Sequence, residues 1–479
     1  MLTYSFENRG SDSLYEYLYK QIRHDINTGK LVPNEKLPSK RALAKHLNIS
    51  TVTVENAYSQ LLAEGYIYSV PKSGYYVSDI IAEKNISDNE YRNGHGKYDA
   101  MATRKTAASN GNKGASDGFF IDFVNNYTAP ENFPFTIWTK LMRETMSENK
   151  DKLMIKSPST GIYELRCSIA DYLYQFRGIN AAPDQIVVGA GTEYLYGLII
   201  QLLGHDKIYA VEDPGYRKIS RIYGANRVKC VHIPLDEQGI NIEDLEKSEA
   251  DVVHISPSHH FPTGLVTPVS RRYELLSWAC KSEDRYIIED DYDSEFRLLG
   301  KPIPALQSID VSEKVIYMNT FSKSLSSTIR ISYMVLPKSL MERYNRELSF
   351  YACTVSNFEQ YTLAKFIERG YLEKHINRMR NHYRKVRDDI LINMKKHLKE
   401  KKGRIMEEDA GLHFLLKVDT KLSDEELVEK AAEKGINISC LSQYYHDRSC
   451  AKKNTLIINY SGIRTEDIEQ GVKWLFEIF

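Results

Sequence analysis

Lys323 follows Thr320-Phe321-Ser322, and Arg330 stands seven residues further on. A lysine can form a Schiff base with an aldehyde, and the hydroxyls and arginine around it suit a phosphate. Asp290 lies in the run Ile287-Ile288-Glu289-Asp290-Asp291-Tyr292. Its carboxylate could keep a pyridine nitrogen protonated, which makes such a ring an electron sink, and Tyr292 could hydrogen-bond the ring's phenolic oxygen. In Val188-Gly189-Ala190-Gly191-Thr192-Glu193 the backbone N–H groups of Gly191 and Thr192 could join Ser322, Thr320 and Arg330 around a phosphate dianion. A lysine, a carboxylate and a cationic, amide-lined cradle are what pyridoxal 5'-phosphate requires. Singly these residues carry little weight in a chain with 33 tyrosines and 64 Lys plus Arg; together and in this order they carry much more. The His259-His260 pair has no partner at metal-ligand spacing, so no metal is expected.

The elements around these residues alternate. Short apolar runs at Ile186 to Val188, Ile208 to Val211, Val252 to Ile255, Tyr286 to Ile288 and Val315 to Met318 are separated by longer helical stretches. That alternation predicts a mainly parallel sheet with helices on both faces, and Asp290 then ends a strand at the carboxyl edge where such sheets bind ligands. From about Glu347 the chain turns helical and highly charged, then returns to strands near Leu412 to Leu416 and Leu456 to Asn459, a smaller α+β unit.

The N-terminal part follows a different pattern. Leu14, Leu18, Ile22 and Ile26 predict an amphipathic helix over Ser13 to Thr28; Ser39 caps a second helix, and Ser50 caps a third with Val54, Ala57, Tyr58, Leu61 and Leu62 inward. Two β-rich runs, Tyr66 to Val70 and Tyr75 to Val77, follow around Pro71-Lys72-Ser73-Gly74. Three helices and a hairpin make a winged helix-turn-helix. Between the two parts, residues 83 to 118 are rich in Asn, Ser, Gly, Lys and Asp without periodicity and read as a flexible linker. Its 36 residues would span on the order of 33 Å as a coil.

Composition sets outer bounds. At 479 residues, 42% hydrophobic and 27% charged, the chain is of globular type and large enough for several domains. No apolar run reaches membrane-span length and the first ten residues lack a secretory pattern, so a cytoplasmic protein is expected, with its six scattered cysteines reduced. Residues 1 to 82 hold nine Lys/Arg against eight Asp/Glu, so the case for DNA rests on where the charges sit.

The three segments Leu37 to Ala44, Ile49 to Val54 and Leu62 to Ile67 closely resemble the GntR-type winged helix-turn-helix. The resemblance implies that the helix opening at Ser50 enters the major groove and that the wing meets the backbone. The DNA contacts expected are Lys40 and Arg41, at a helix start where dipole and charge both favour phosphate, Ser50, Thr51 and Thr53, and Lys72 and Gly74 of the wing. Where GntR-type proteins commonly carry arginines, this chain has Thr51 and Glu55.

Thr320 to Lys323 with Arg330 resembles the signature of fold-type I aminotransferases, Asp290-Asp291-Tyr292 their strand-end carboxylate and tyrosine, and Gly189 to Glu193 their phosphate loop. Asp213-Pro214-Gly215-Tyr216 resembles the segment whose aromatic stacks on the cofactor ring, here Tyr216. A GntR-type head on an aminotransferase-like body is similar to the MocR/GabR-type subfamily of GntR transcription regulators.

That resemblance implies a DNA-binding domain over 1–82, the linker 83–118, and an effector domain over 119–479. The effector domain would divide into a large part of about 160–345 and a small one of about 346–479. It implies a head-to-tail homodimer, operator DNA as partner, and an amine or amino-acid effector sensed through the Schiff-base cofactor without turnover. Phe261 stands where the enzymes place an asparagine that bonds the cofactor. The alternatives are an active aminotransferase with a fused head and a regulator sensing pyridoxal phosphate itself. For the effector, Gly462 occupies the position of the subfamily's carboxylate-binding arginine. That leaves Arg464 two residues on, with Lys218 and Arg217 near Tyr216, as candidates.

Overall fold

The computed structural model describes residues 4, 6, 13–70, 73–78, 118–125, 128–298, 304–399, 402–408 and 411–479. Lys72 and, except for Gly118, the stretch expected to be a linker lie outside them.

Helix α1 (Leu14–Asn27), α2 (Lys40–Leu47) and α3 (Thr51–Ala63) precede strands β1 (Ile67–Val70) and β2 (Gly74–Val77), which pair antiparallel with Ile67 opposite Val77. The second and third helices start where their caps dictate. Ser39 Oγ accepts from the Ala42 N–H, and Ser50 Oγ accepts from the Thr53 N–H at 3.0 Å. Leu18, Ile22, Leu43, Val54, Tyr58, Leu61 and Val77 form the head's core. Tyr58 is fully buried, its hydroxyl donating to Pro38 O at 2.9 Å.

The rest of the chain contains strands β3 (Ile121–Asp122), β4 (Ile186–Gly189), β5 (Ile208–Asp213), β6 (Lys229–Asp236), β7 (Gly239–Ile240), β8 (Val252–Ile255), β9 (Tyr286–Asp290), β10 (Val315–Thr320) and β11 (Ser332–Val335). Then come β12 (Gly403–Met406), β13 (His413–Val418), β14 (Ile436–Asn437), β15 (Ser439–Cys440) and β16 (Thr455–Asn459). Eight strands form one sheet in the order β4-β11-β10-β9-β8-β5-β6-β7. Its centre is parallel, while β11 runs antiparallel to both neighbours and β7 antiparallel to β6. Helices cover both faces, so the central strands are buried and largely apolar, as in Val252, Val253, Ile287, Ile288, Ile316 and Met318. A second sheet, β12-β13-β16-β15, packs on the 27-residue helix Tyr371–His397.

The carboxyl ends of β4, β5, β8, β9 and β10 open on one edge, where the loops bearing Gly191, Tyr216, Phe261, Tyr292 and Lys323 begin. The head packs on the body of its own chain, whereas the expected head-to-tail homodimer sets the head of one chain beside the sensor domain of the other. Val269, first residue of the helix Val269–Cys280, completes the head's core, and its N–H donates to Glu64 O at 2.9 Å. Gly65, at φ +77°, lies so close that a Cβ there would meet Pro268 Cβ at 2.6 Å.

Candidate cofactor site and DNA-binding head

Lys323 sits in the single turn Phe321–Ser324 that follows β10. Thr320 Oγ1 starts this turn by accepting from the Ser322 N–H at 3.1 Å, and it also bonds Ser322 Oγ and Ser332 Oγ. Desolvation pushes the Lys323 pKa down to about 8, against an opposing pull from Asp293. Asp290 closes β9; Tyr196 Oη donates to its Oδ2 at 2.5 Å, and His254 Nε2 lies 3.6 Å from the same oxygen without a hydrogen bond. Its Oδ1 is buried with no hydrogen-bond partner among the described residues.

Gly191, at φ +93°, opens the helix Thr192–Leu203, and a Cβ there would collide with the Arg330 guanidinium. Glu193 bridges Arg330, at 3.2 Å, and Lys218, whose contact holds the carboxyl below its ordinary range. Tyr216 is half exposed, edge-on to Phe261 with ring centroids 5.9 Å apart.

These residues fit pyridoxal phosphate. The orphaned Asp290 Oδ1 is an acceptor for a ring N–H. The side-chain-free Gly191 lies against the Arg330 guanidinium at a helix start, where a phosphate would be held, and Lys323 would supply the amine. When bound, the group supplies an aldehyde for amines and an electron-withdrawing ring.

Several site residues are not legible as motifs. His259 Nδ1 lies 2.8 Å from Asp293 Oδ2 and 3.2 Å from Tyr292 Oη, and its ring meets His413 at 4.6 Å. Burial drives the His413 imidazole well below its ordinary pKa, so it is neutral beside Lys323. Phe261 is surrounded by Tyr216, Tyr444 and His413, with nothing on its ring to donate. The adjacent His259-His260-Phe261 run is the one sequence signal for this wall.

The effector candidates are engaged elsewhere. Arg217 donates to Gln443 O at 3.2 Å, Lys218 joins Glu193, and Arg464 lies 2.7 Å from Asp467 and also near Glu466.

In the head, Lys40 is held by Glu55 at 2.7 Å, while Arg41 and Thr51 are exposed. Ser50 and Thr53 bond each other at 2.8 Å, and Gly74 opens β2 at φ +124°.

Residues 123–475 match the aminotransferase class I and II family, and residues 14–77 the gntR family of bacterial regulatory proteins. The HTH-type transcriptional regulator YdeL of Bacillus subtilis is 39% identical, with 98% of each chain covered. The "Probable rhizopine catabolism regulatory protein MocR" of Rhizobium meliloti is 31% identical over 97% of this chain and 94% of its own. The chain belongs to the MocR-type gntR regulators.

In this MocR-type chain the body keeps the enzyme fold. It superposes on the multiple substrate aminotransferase of Thermococcus profundus with a TM-score of 0.66 at 26% identity, covering 76% of this chain and 91% of that one. The cofactor of this fold and family is pyridoxal 5'-phosphate. The chain is therefore a transcription regulator with an aminotransferase-like domain. Among the described residues no helix is long and apolar enough to cross a membrane.

Proposed function

We propose that this MocR-type chain binds operator DNA through residues 1–82 and senses an amine or amino acid at the cofactor site of residues 119–479, tethered by 83–118. It would act as a cytoplasmic homodimer without physiological turnover. The observation that carries the reading is a single loop. Residues 256–267 present His259 and Phe261 to the site and run straight into Pro268 and Val269, which hold the head.

The loop is closed at its foot, where the Thr267 N–H donates to Pro257 O at 2.9 Å. Arg272 clamps it by donating to Thr267 O and Pro257 O, both at 3.0 Å, and to Pro304 O at 2.5 Å. A ligand that shifts Phe261 at the loop's tip thus acts eight residues from Val269, a contact in the head's core. Coupling of about 1 to 3 kcal/mol between the two would change DNA affinity roughly 5- to 150-fold.

Arrest of turnover rests on the aromatic wall. Phe261 offers no hydrogen bond to a cofactor oxygen, and the candidate carboxylate anchors are tied to Gln443, Glu193 and Asp467. An amine can take the place of Lys323, but proton removal at its α-carbon needs a rigidly held substrate as well as a free lysine.

Mass spectrometry of amines incubated with the loaded protein and a keto-acid acceptor tests this. The effector should be recovered intact; repeated conversion to a keto acid or aldehyde would make the protein an aminotransferase carrying a head.

A further inference from the structure

The outward face of α3 carries Thr51, Val52, Glu55, Asn56 and Ser59, all exposed, while Val54, Ala57, Tyr58 and Leu61 are buried in the head's core. None of the five is basic, and the one charge is negative. Val52 is 62% exposed. A single exposed valine is ordinary on a protein surface, but this one lies in the first turn of the second helix of a helix-turn-helix, the part that meets base edges.

Glu55 would be repelled by DNA phosphates if it stood alone. It does not. Lys40 reaches across from α2 to Glu55 Oε1 at 2.7 Å and is itself fixed over the Tyr75 ring of β2, 5.5 Å from the centroid. The pair is a neutral unit built from three elements, so its position is set by the fold. A carboxylate has about four acceptor positions and an ammonium three donors, so holding each other leaves Glu55 Oε2 able to accept and Lys40 able to donate.

Taking the head as DNA-binding, which this inference rests on, we infer that α3 reads its operator without an arginine directed at guanine. Val52 packs on a thymine methyl group. Asn56 pairs with the N6/N7 edge of adenine. Glu55, neutralised by Lys40, accepts from the exocyclic amine of cytosine. Backbone charge is met from around the helix, by the exposed Lys36, Arg41 and Lys45. The half-site is therefore A·T-rich, with one C·G pair specified by Glu55.

The test is selection from a randomised duplex library with the full-length, pyridoxal-phosphate-loaded protein and its Val52→Ala and Glu55→Gln variants. The wild type should select an A·T-rich half-site containing one invariant C·G pair. E55Q should still bind that site but lose roughly tenfold or more of its preference at that pair, and V52A should relax one thymine. Both variants selecting the wild-type site unchanged, or a wild-type half-site dominated by G·C pairs, overturns the inference. If no sequence is enriched even by the wild type, the DNA-binding reading of the head falls, and this inference falls with it.

Discussion

Lys323 is given few charges to lean on. Its ammonium is desolvated, Asp293 alone pulls the other way, and burial keeps the neighbouring His413 neutral. A lysine held at about 8 rather than 10.5 is partly neutral at physiological pH, and the neutral amine is the form that attacks an aldehyde. Since the folded pKa is depressed, the neutral fraction grows as pH rises through about 8. Uptake of pyridoxal phosphate by cofactor-free protein, followed in the visible spectrum, should accelerate through that pH and level off above it. A midpoint near 10.5 would show an ordinary lysine, and Lys323→Ala should leave nothing for borohydride to fix. The motif residues of this site are legible in the sequence because Asp290 and Tyr292 share one run at the end of β9, while Lys323 follows β10 with Arg330 at a fixed spacing of seven. Tyr196 on Asp290, 94 residues away, and Asp293 on His259, 34 away, are not. Those pairings come from the order of strands in the sheet, which no local spacing records.

At the scale of elements, the loop 256–267 and the helix behind it carry the account. Arg272 is almost fully buried and satisfies three carbonyls at once. Replacing it with methionine keeps much of the packing but leaves those acceptors unmet. Arg272→Met should cost about 3 kcal/mol in denaturant unfolding of the body; a loss under about 0.5 kcal/mol would mean that the clamp contributes nothing. Gly65→Ala acts on the other side of the seam. It combines a left-handed backbone with a clash against Pro268 and should weaken the head's docking by about 1 to 3 kcal/mol. Limited proteolysis should then release the head faster while the body melts as before, and unchanged cleavage would count against the seam. β4, β5, β8, β9 and β10 were legible as apolar runs; β11, buried at all four residues, was not, because Ser332-Tyr333-Met334-Val335 is short and begins on a polar residue. β6 was not, because it lies near the sheet's edge and only Ile233 among its residues is buried. Nor could the seam be read from the pattern, since Val269 looks like any first-turn residue of a body helix.

The whole molecule joins a DNA-reading head to a body that retains an enzyme's fold and cofactor cradle. A regulator of this construction works only if the ligand's preference between two arrangements of the chain is felt at the head. The decisive measurement follows the visible band of the loaded full-length protein and its operator affinity in the same titration, across a panel of amines and amino acids. One compound should move both with a single midpoint, changing operator affinity roughly 5- to 150-fold. A compound that shifts the band to saturation while operator affinity stays constant would contradict this coupling.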